Sequence, residues 1–245
     1  MDLSIIIPAL NEASNLDQLL PALHNMAARL TASYEIIVVD GGSIDETVAV
    51  VTRHHASIVH QTEPGYGGAL KAGFATARGR YLATMDADFS HRPEFLRRLW
   101  NMRDQAEVLI ASRYVEGGRA EMPWSRWLLS RILNEFFAHG LSLPYRDMSS
   151  GFRLYQAVAL REIAITARDF EVLEEILIKL YAQGYQIREV PFLYCPRRAG
   201  RSHARLIKFG LRMLRLFFTL WRLRNSIDLP PINESSGDGR ILAAG

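Results

Sequence analysis

The chain of 245 residues is long enough to bury one sizeable hydrophobic core, or at most two small ones. Its apolar fraction of 49% and charged fraction of 22% are ordinary for a globular protein. The formal net charge of only +3 does not indicate nucleic-acid binding. A single cysteine, Cys195, excludes an internal disulfide and favours a reducing compartment.

The first residues carry no basic stretch followed by a long apolar segment, so we expect no signal peptide. No uncharged apolar run approaches the ~20 residues that are needed to span a bilayer. We therefore predict a cytoplasmic protein. The oligomeric state cannot be inferred from these features.

Strand-like apolar runs alternate with helical patterns in the first half of the chain. We predict strands at 3–7, 34–39, 56–60, 81–85 and 108–112, with helices at 15–29, 45–54, 69–78 and 93–103. This alternation predicts an α/β fold with a mostly parallel sheet covered on both faces. Ligands bind such sheets at the carboxyl ends of the strands, which directs attention to residues 8–12, 40–45 and 86–90.

The second half contains two predicted helices, at 124–141 and 169–184, and a predicted strand at 186–194. A further helix at 204–224 is apolar except for a narrow cationic stripe, formed by Arg205, Lys208, Arg212, Arg215 and Arg222. Such a helix can lie among lipid headgroups, or it can pack on the sheet with its arginines in water. The same two alternatives apply to 124–141.

These patterns divide the chain into three parts. Residues 1–203 are predicted to form the catalytic or ligand-binding domain, and residues 204–224 the amphipathic helix. Residues 225–245 are rich in Pro, Ser and Gly, and we predict that they form a disordered tail.

Two aspartates, Asp86 and Asp88, directly follow the fourth predicted strand. In extended chain their carboxylates point to the same side and repel each other. Mg²⁺ or Mn²⁺ would relieve that repulsion, because such an ion binds one or two carboxylates and completes its shell with phosphate oxygens and water. The alternative is a solvated turn in which Asp88 caps the next helix.

Asp40 ends the second predicted strand, where an acid often accepts hydrogen bonds from a ribose or a base. A turn or helix-cap role is equally compatible with the glycines that follow it. Segment 8–12 can shape a nucleotide pocket or be a plain loop. The glycines of 63–68 suit a backbone close to a ligand, although they lack the Gly-Lys-Ser/Thr ending of a P-loop.

Arginines can supply the counter-charge for phosphate groups. Arg113 ends the fifth predicted strand, Arg153 follows a Ser-Ser-Gly-Phe run, and three more arginines lie within residues 197–203. Arginine binds phosphate through two parallel hydrogen bonds and stays charged at physiological pH. Each one alone is compatible with a surface role, whereas three in one short loop indicate an anion clamp.

Six motifs follow one another at regular places in the chain. They are Pro-Ala-Leu-Asn-Glu (8–12), Val-Val-Asp-Gly-Gly-Ser-Ile-Asp (38–45), Met-Asp-Ala-Asp-Phe-Ser-His (85–91), Ser-Arg-Tyr-Val-Glu-Gly-Gly (112–118), Ser-Gly-Phe-Arg-Leu-Tyr (150–155) and Arg-Arg-Ala-Gly-Arg-Ser-His (197–203). In this order they resemble the family 2 glycosyltransferases, in particular the dolichol-phosphate (polyprenol-phosphate) mannosyltransferase group. The resemblance covers roughly residues 3–205.

The resemblance implies a GT-A fold and an inverting transfer of mannose from GDP-mannose to a polyprenyl phosphate, with Mg²⁺ or Mn²⁺ as cofactor. It implies a nucleotide-sugar pocket formed by Pro8, Leu10, Glu12, Val38, Asp40, Asp86, Ala87, Asp88, Arg113, Arg197 and His203. It implies metal ligation by Asp86, Asp88 and Ser90. It places four residues at the reacting groups as catalytic candidates: Asp88, Asp147, Arg153 and Glu175.

Two departures from the family pattern leave the donor open. Asp40 is followed by Gly41 and Gly42 where the family usually has Asp-Asn, and the last motif ends in His203 instead of lysine. UDP-glucose is therefore an alternative donor. A membrane-surface module that binds a nucleotide sugar without turnover is an alternative function.

Two other enzyme classes fit less well. A sugar nucleotidyltransferase would carry a Gly-rich basic loop where residues 8–12 stand. A chain-elongating polysaccharide synthase would show a Gln-x-x-Arg-Trp motif and several spanning helices, and neither is visible.

Overall fold

The computed structural model describes residues 1–195 and 206–226. The predicted loop residues Arg197 and His203 lie outside the described residues, and so does the predicted tail from residue 227 onward. Within helix 206–225, side chains are described from Leu216. The cationic stripe that the sequence predicts there is therefore described only at Arg222.

The centre of the fold is a seven-stranded sheet, accompanied by a two-stranded ribbon. The strands are β1 (Leu3–Ala9), β2 (Tyr34–Asp40), β3 (Ser57–His60), β4 (Tyr81–Thr84), β5 (Val108–Ser112), β6 (Arg119–Ala120), β7 (Arg153–Gln156), β8 (Ile187–Pro191) and β9 (Leu193–Tyr194). The order in the large sheet is β3-β2-β1-β4-β7-β5-β8, and β6 pairs with β9. All pairs are parallel except those of β7, which runs antiparallel to β4 and β5.

Helices cover both faces of the sheet. They are α1 (Ala13–Leu30), α2 (Thr47–Arg53), α3 (Tyr66–Thr76), α4 (Leu96–Asn101), α5 (Trp124–Leu141), α6 (Ala157–Arg161), α7 (Val172–Ala182) and α8 (Leu206–Asn225). Among the described residues, none of these helices is both long and apolar enough to cross a membrane. The predicted mostly parallel α/β architecture is confirmed.

Successive residues of β1 show how one strand serves two cores. Ile5 and Ile7 belong to the cluster packed against α1, whereas Ile6 belongs to the cluster on the opposite face, near α3. Each of the three is completely buried. Side chains of a strand alternate between its faces, so a continuous run of isoleucines is what a sheet covered on both sides requires.

Two parts of the second half differ from the prediction. The strand predicted at 186–194 is interrupted at Phe192, and its two pieces join different sheets. Strand β7 and helix α6 were not predicted at all. Because β7 runs antiparallel, its first residue, Arg153, lies at the same edge of the sheet as the carboxyl ends of β4 and β5.

Candidate active site

The loops after β1 and β2 are hydrogen-bonded to each other. The backbone N–H of Asn11 donates to Ser43 Oγ over 2.9 Å, and Ile44 N–H donates to Asn11 Oδ1 over 2.9 Å. Glu12 N–H donates to Thr47 Oγ1 over 3.0 Å. Asn11 has a φ of 56°, a left-handed conformation that asparagine tolerates better than most residues. The two loops therefore form one continuous wall at this edge of the sheet.

The predicted pocket residues on the first loop differ in exposure. Pro8 is half-buried inside β1, and Leu10 is 57% exposed. The Glu12 carboxylate accepts a hydrogen bond of 2.6 Å from Asn15 Nδ2. Among the predicted pocket residues of this loop, Leu10 is thus the one whose side chain is most available to a ligand.

Asp40 is almost completely buried at the end of β2, and its carboxylate accepts hydrogen bonds from the backbone N–H groups of Gly42 and Ser43, each over 3.1 Å. Burial raises the pKa of Asp40, but these hydrogen bonds outweigh burial and hold the pKa below its usual value. His60 Nδ1 lies 3.4 Å from Asp40 Oδ2. Asp40 therefore stabilises the turn after β2, as one of the two alternatives for this residue predicted. The exposed His60 ring lies next to the Asp40 carboxylate.

Two of the predicted pocket residues have buried side chains. Val38 is completely buried in the core cluster below the strand end, and Ala87 is buried in the same cluster. Neither side chain lines a surface. Ala87 lies beyond the end of β4, between the partly exposed Asp86 and the buried Asp88.

The acidic pair occupies a turn directly after β4. The Asp86 side chain is 40% exposed, whereas Asp88 is buried and its Oδ1 accepts a hydrogen bond of 3.0 Å from Ser90 N–H. The intervening Phe89 has a φ of 62°, so the chain reverses sharply here. The buried Ser90 hydroxyl has no hydrogen-bond partner among the described residues.

His91 is hydrogen-bonded to the turn that carries the acidic pair, and it was not among the site residues predicted from the sequence. The backbone N–H of Asp86 donates to its Nδ1 over 2.9 Å, which leaves the ring proton on Nε2, 3.7 Å from Asp86 Oδ2. The ring stacks on Phe152 at a centroid distance of 4.9 Å. Burial lowers the pKa of His91, so the imidazole stays neutral. Its position in the sequence, directly after the acidic pair, was the available signal.

The residues at this turn fit a hard divalent ion. In the described part of the chain, no three His, Cys, Asp or Glu side chains form a metal-binding group. Mg²⁺, however, commonly uses only one or two carboxylates and keeps its other positions for phosphate oxygens and water. Two carboxylates and an unpaired hydroxyl satisfy that requirement. These groups belong to the predicted ligands Asp86, Asp88 and Ser90, whose metal role stays a prediction.

Arg113 and Asp147 form a buried ion pair at the end of β5. Asp147 accepts hydrogen bonds from Arg113 Nε over 2.8 Å, from Nη2 over 2.6 Å and from the backbone N–H over 2.8 Å. Arg113 also donates to Ser149 and lies over the rings of Tyr114 and Tyr194. Burial would lower the pKa of Arg113, but the charge of Asp147 raises it, so the guanidinium stays charged.

Arg153, predicted at the reacting groups, is completely buried at the start of β7. Its guanidinium donates to the backbone carbonyls of Ser150 and Leu173, each over 2.8 Å, and to that of Met148. A charged side chain can be buried when its donors are satisfied in this way. In this arrangement Arg153 ties loop 148–150 to the start of α7.

Glu175, also predicted at the reacting groups, lies against another loop. Its carboxylate accepts hydrogen bonds from the backbone N–H groups of Thr166 and Ala167, and from Lys179 Nζ over 2.6 Å. Burial raises the pKa of Glu175, but the hydrogen bond from Lys179 and those from the loop bring it below its usual value. Both carboxylate oxygens are therefore engaged by protein partners.

The preceding residue, Glu174, is the glutamate of α7 that lies near Arg153. It is 8% exposed, and its Oε2 has no hydrogen-bond partner among the described residues. Burial raises the pKa of Glu174 to about 7, although the charge of Arg153 acts in the opposite direction. Sequence reasoning selected its neighbour instead.

Tyr66 completes this buried polar region. A Cβ at Gly151 would lie 2.6 Å from the Tyr66 hydroxyl and 3.5 Å from Asp86 Oδ1, so both groups border the same point. The hydroxyl is buried without a hydrogen-bond partner in the described part of the chain, and the ring stacks on Phe170 at 5.0 Å. Gly151 leaves the room that these two side chains need.

Comparisons with known proteins identify the family of the chain. Residues 4–164 match the family described as glycosyl transferase family 2. The chain is 31% identical to a polyprenol monophosphomannose synthase of Mycolicibacterium smegmatis, over 91% of this chain and 88% of the relative. It is also 31% identical to a dolichol-phosphate mannosyltransferase of Pyrococcus furiosus, over 93% of this chain and 66% of the relative.

Among solved structures, glucosyl-3-phosphoglycerate synthase from Mycobacterium tuberculosis, in complex with Mn²⁺, UDP and glucosyl-3-phosphoglycerate, shares the fold. The TM-score is 0.70 at 19% identity, and the match covers 93% of this chain and 81% of that chain. The fold is that of a GT-A glycosyltransferase. The chain belongs to glycosyl transferase family 2.

The buried Glu174 leads to a prediction about stability. Because its pKa rises from 4.5 to about 7 on folding, its contribution to stability is complete below about pH 4.5 and is lost as the pH rises through about 7. The side chain of the Glu174→Gln variant does not ionise, so the variant does not lose this stability as the pH rises. We expect the free energy of unfolding of the variant, relative to the wild type, to increase by about 3 kcal/mol between pH 4.5 and pH 8.

Urea unfolding at a series of pH values measures this difference. Glu175→Gln serves as the control with the opposite sign, because the folded chain lowers the pKa of Glu175, and that variant is expected to lose stability at pH 8. A difference between Glu174→Gln and wild type that does not change with pH would contradict the prediction.

Proposed function

We propose that this glycosyltransferase moves mannose from GDP-mannose onto a polyprenyl phosphate, with inversion at the anomeric carbon. The observation that carries the proposal is the convergence of Asp86, Asp88, Ser90 and Arg113 at one edge of the sheet. The names of the two relatives, a polyprenol monophosphomannose synthase and a dolichol-phosphate mannosyltransferase, support the choice of sugar and acceptor.

The cofactor we propose is Mg²⁺ or Mn²⁺, held by Asp86, Asp88 and the Ser90 hydroxyl. When bound, such an ion neutralises the charge that develops on the departing diphosphate. His91 would hold Asp86 in place through the hydrogen bond from the Asp86 backbone to Nδ1. On the nucleoside side, the joined loops after β1 and β2 would present Leu10, with Pro8, Glu12 and Asp40 behind it.

Arg113 would supply positive charge to the donor diphosphate. Its Nε and Nη2 groups are engaged by Asp147, whereas its Nη1 group has no hydrogen-bond partner among the described residues. A cation already fixed in this way stabilises developing charge without reorganising during the reaction. Asp147 and Arg153 would then act by holding other groups in position. For Glu175 the engaged carboxylate favours the same kind of role, and for Arg197 and His203 we propose contacts with the donor.

The acceptor needs little activation. The second pKa of a phosphate monoester is about 6, so at neutral pH the group is mainly a dianion. One of its oxygens attacks the anomeric carbon, the bond from that carbon to the donor diphosphate oxygen breaks, and the nucleoside diphosphate leaves with the electron pair. No proton has to be removed from the nucleophile, which is consistent with a site whose carboxylates are largely occupied.

We also propose that α5 and α8 form a surface that contacts the cytoplasmic face of a membrane, where a polyprenyl phosphate would be met. Phe217 packs against α5, 4.6 Å from the ring of Phe136, and Leu220 is buried. Large apolar side chains on the two helices remain exposed: Trp124, Leu129, Ile132, Phe136, Phe218 and Trp221. Several exposed large apolar side chains on two helices that pack together are typical of an interaction surface. Arg222 of α8, next to Trp221 in the chain, would favour anionic lipid.

A donor and acceptor assay tests the proposed function. We expect the release of GDP from GDP-mannose to depend on a short polyprenyl phosphate and on Mn²⁺, and the radiolabelled sugar to appear in the lipid fraction. Faster turnover of UDP-glucose would replace the donor assignment. Binding of a nucleotide sugar without transfer to any polyprenyl phosphate would refute the enzymatic proposal and favour a binding module.

Asp88→Ala is expected to reduce transfer at least about 100-fold, because removing a proposed metal ligand takes away charge stabilisation at the leaving group. The variant should remain folded by circular dichroism. Mn²⁺ with GDP should raise the melting temperature of the wild type but not that of Asp88→Ala. Transfer at the wild-type rate in the variant would reject the metal assignment.

For the membrane surface, we expect the double variant Phe218→Ser/Trp221→Ser to bind anionic liposomes at least about tenfold more weakly in flotation, since two exposed aromatic anchors are lost. Val158→Ser is the matched control, because Val158 is a similarly exposed apolar residue on α6. Equal flotation of the double variant and the control would exclude α8 as the membrane contact.

A further inference from the structure

A glutamate on β8 holds together the segments that carry the Arg113–Asp147 pair. Glu189 Oε1 accepts hydrogen bonds from Ser112 Oγ over 2.7 Å and from Asp147 N–H over 2.8 Å. Its Oε2 accepts a hydrogen bond of 2.8 Å from Arg146 N–H. One carboxylate thus joins the end of β5 to two successive backbone groups of the loop after α5.

This arrangement is unusual in its charges. Within the described residues Glu189 has no ion pair with a lysine, arginine or histidine, and the nearby Asp147 is also negative. Burial and the charge of Asp147 raise the pKa of Glu189. Burying a carboxylate whose hydrogen-bond donors are all neutral costs free energy. A role for Glu189 in fixing the loop would explain why this costly arrangement is present.

The hydrogen bonds of Glu189 connect, through Asp147, to the guanidinium of Arg113. Glu189 fixes the backbone of Asp147, and the Asp147 carboxylate then engages Arg113 through three hydrogen bonds. Asp147 is completely buried, so its side chain has no freedom to follow Arg113 if the loop shifts. The orientation of the guanidinium therefore depends on the position of the loop backbone.

We propose that Glu189 is a positioning residue for donor binding: it holds the Arg146–Asp147 backbone so that Asp147 aims the Nη1 group of Arg113, which has no partner among the described residues, at the donor diphosphate. This inference rests on the proposed function. The opposing view is that Glu189 only stabilises the loop. The two views differ in one respect: only a positioning role predicts that loss of Glu189 weakens binding of a nucleoside diphosphate but not of a nucleoside monophosphate.

Glu189→Gln tests the proposal, because it keeps the size of the side chain but replaces one accepting oxygen by an amide. We expect kcat/KM for the donor to fall about 10–100-fold, with KM for the polyprenyl phosphate unchanged. Binding of the nucleoside diphosphate, measured by calorimetry, should weaken, whereas binding of the nucleoside monophosphate should not. If the Gln variant does not fold, Glu189→Asp withdraws the carboxylate by one methylene and serves the same purpose.

A double-mutant cycle with Asp147→Asn shows whether Glu189 acts through Asp147. We expect the double variant to be no worse than Asp147→Asn alone, since residues that act in series are not additive. Multiplicative losses would overturn the proposal. So would unchanged diphosphate binding in Glu189→Gln, whether or not its melting temperature falls.

The chain supplies a matched control at the opposite end of the same strand pair. Glu107 Oε2 accepts a hydrogen bond of 2.8 Å from Gln186 N–H, next to the starts of β5 and β8. Glu107→Gln removes a comparable contact far from Arg113 and should leave donor kinetics unchanged. The binding measurements need no acceptor, so failure of this inference is distinguishable from failure of the proposed function, in which no variant, and no wild type, transfers sugar.

Discussion

The ion pair between Arg113 and Asp147 is the interaction on which the arrangement of the site depends. It joins the end of β5 to loop 146–149, and through Glu189 it reaches β8 as well. Burying two charges costs solvation free energy that only close, multiple hydrogen bonds return. Three such bonds from one arginine to one aspartate meet that condition. The result is a cation whose position does not have to be established when a substrate arrives.

Strand β7 provides similar hydrogen-bonded anchoring at the centre of the sheet. Its reversed direction brings Arg153 to the ligand edge, beneath the turn that holds Gly151. Thr84 of β4 donates a hydrogen bond of 2.7 Å to the Gly151 carbonyl, which ties this turn to the strand that leads into the acidic pair. The turn that carries Asp86 and Asp88 is therefore anchored to a segment more than sixty residues away in the chain. Rigid anchoring of this kind suits chemistry that works through electrostatics rather than proton transfer.

Particular residues show what could be predicted and what could not. The strands and helices of residues 3–112 follow from apolar periodicity, because each buries a continuous or amphipathic pattern of its own. Strand β7 escaped prediction because it is four residues long and begins with a charged residue, whose burial depends on backbone carbonyls of the preceding loop and of α7. On α7 the sequence could not show that Glu174 is the glutamate near Arg153, since adjacent helical residues point about 100° apart.

The amino-acid sequence by itself determined the α/β architecture, the family and the position of the acidic pair at a strand end. These properties are local: they depend on short patterns and on motifs read in order. Tertiary structure decided the partners. That Arg113 meets Asp147, that His91 supports Asp86 and that Val38 and Ala87 turn inward all depend on how separate segments pack. Hydrogen bonds and burial between residues distant in the chain leave no periodic trace in it, and so only the folded arrangement could reveal them.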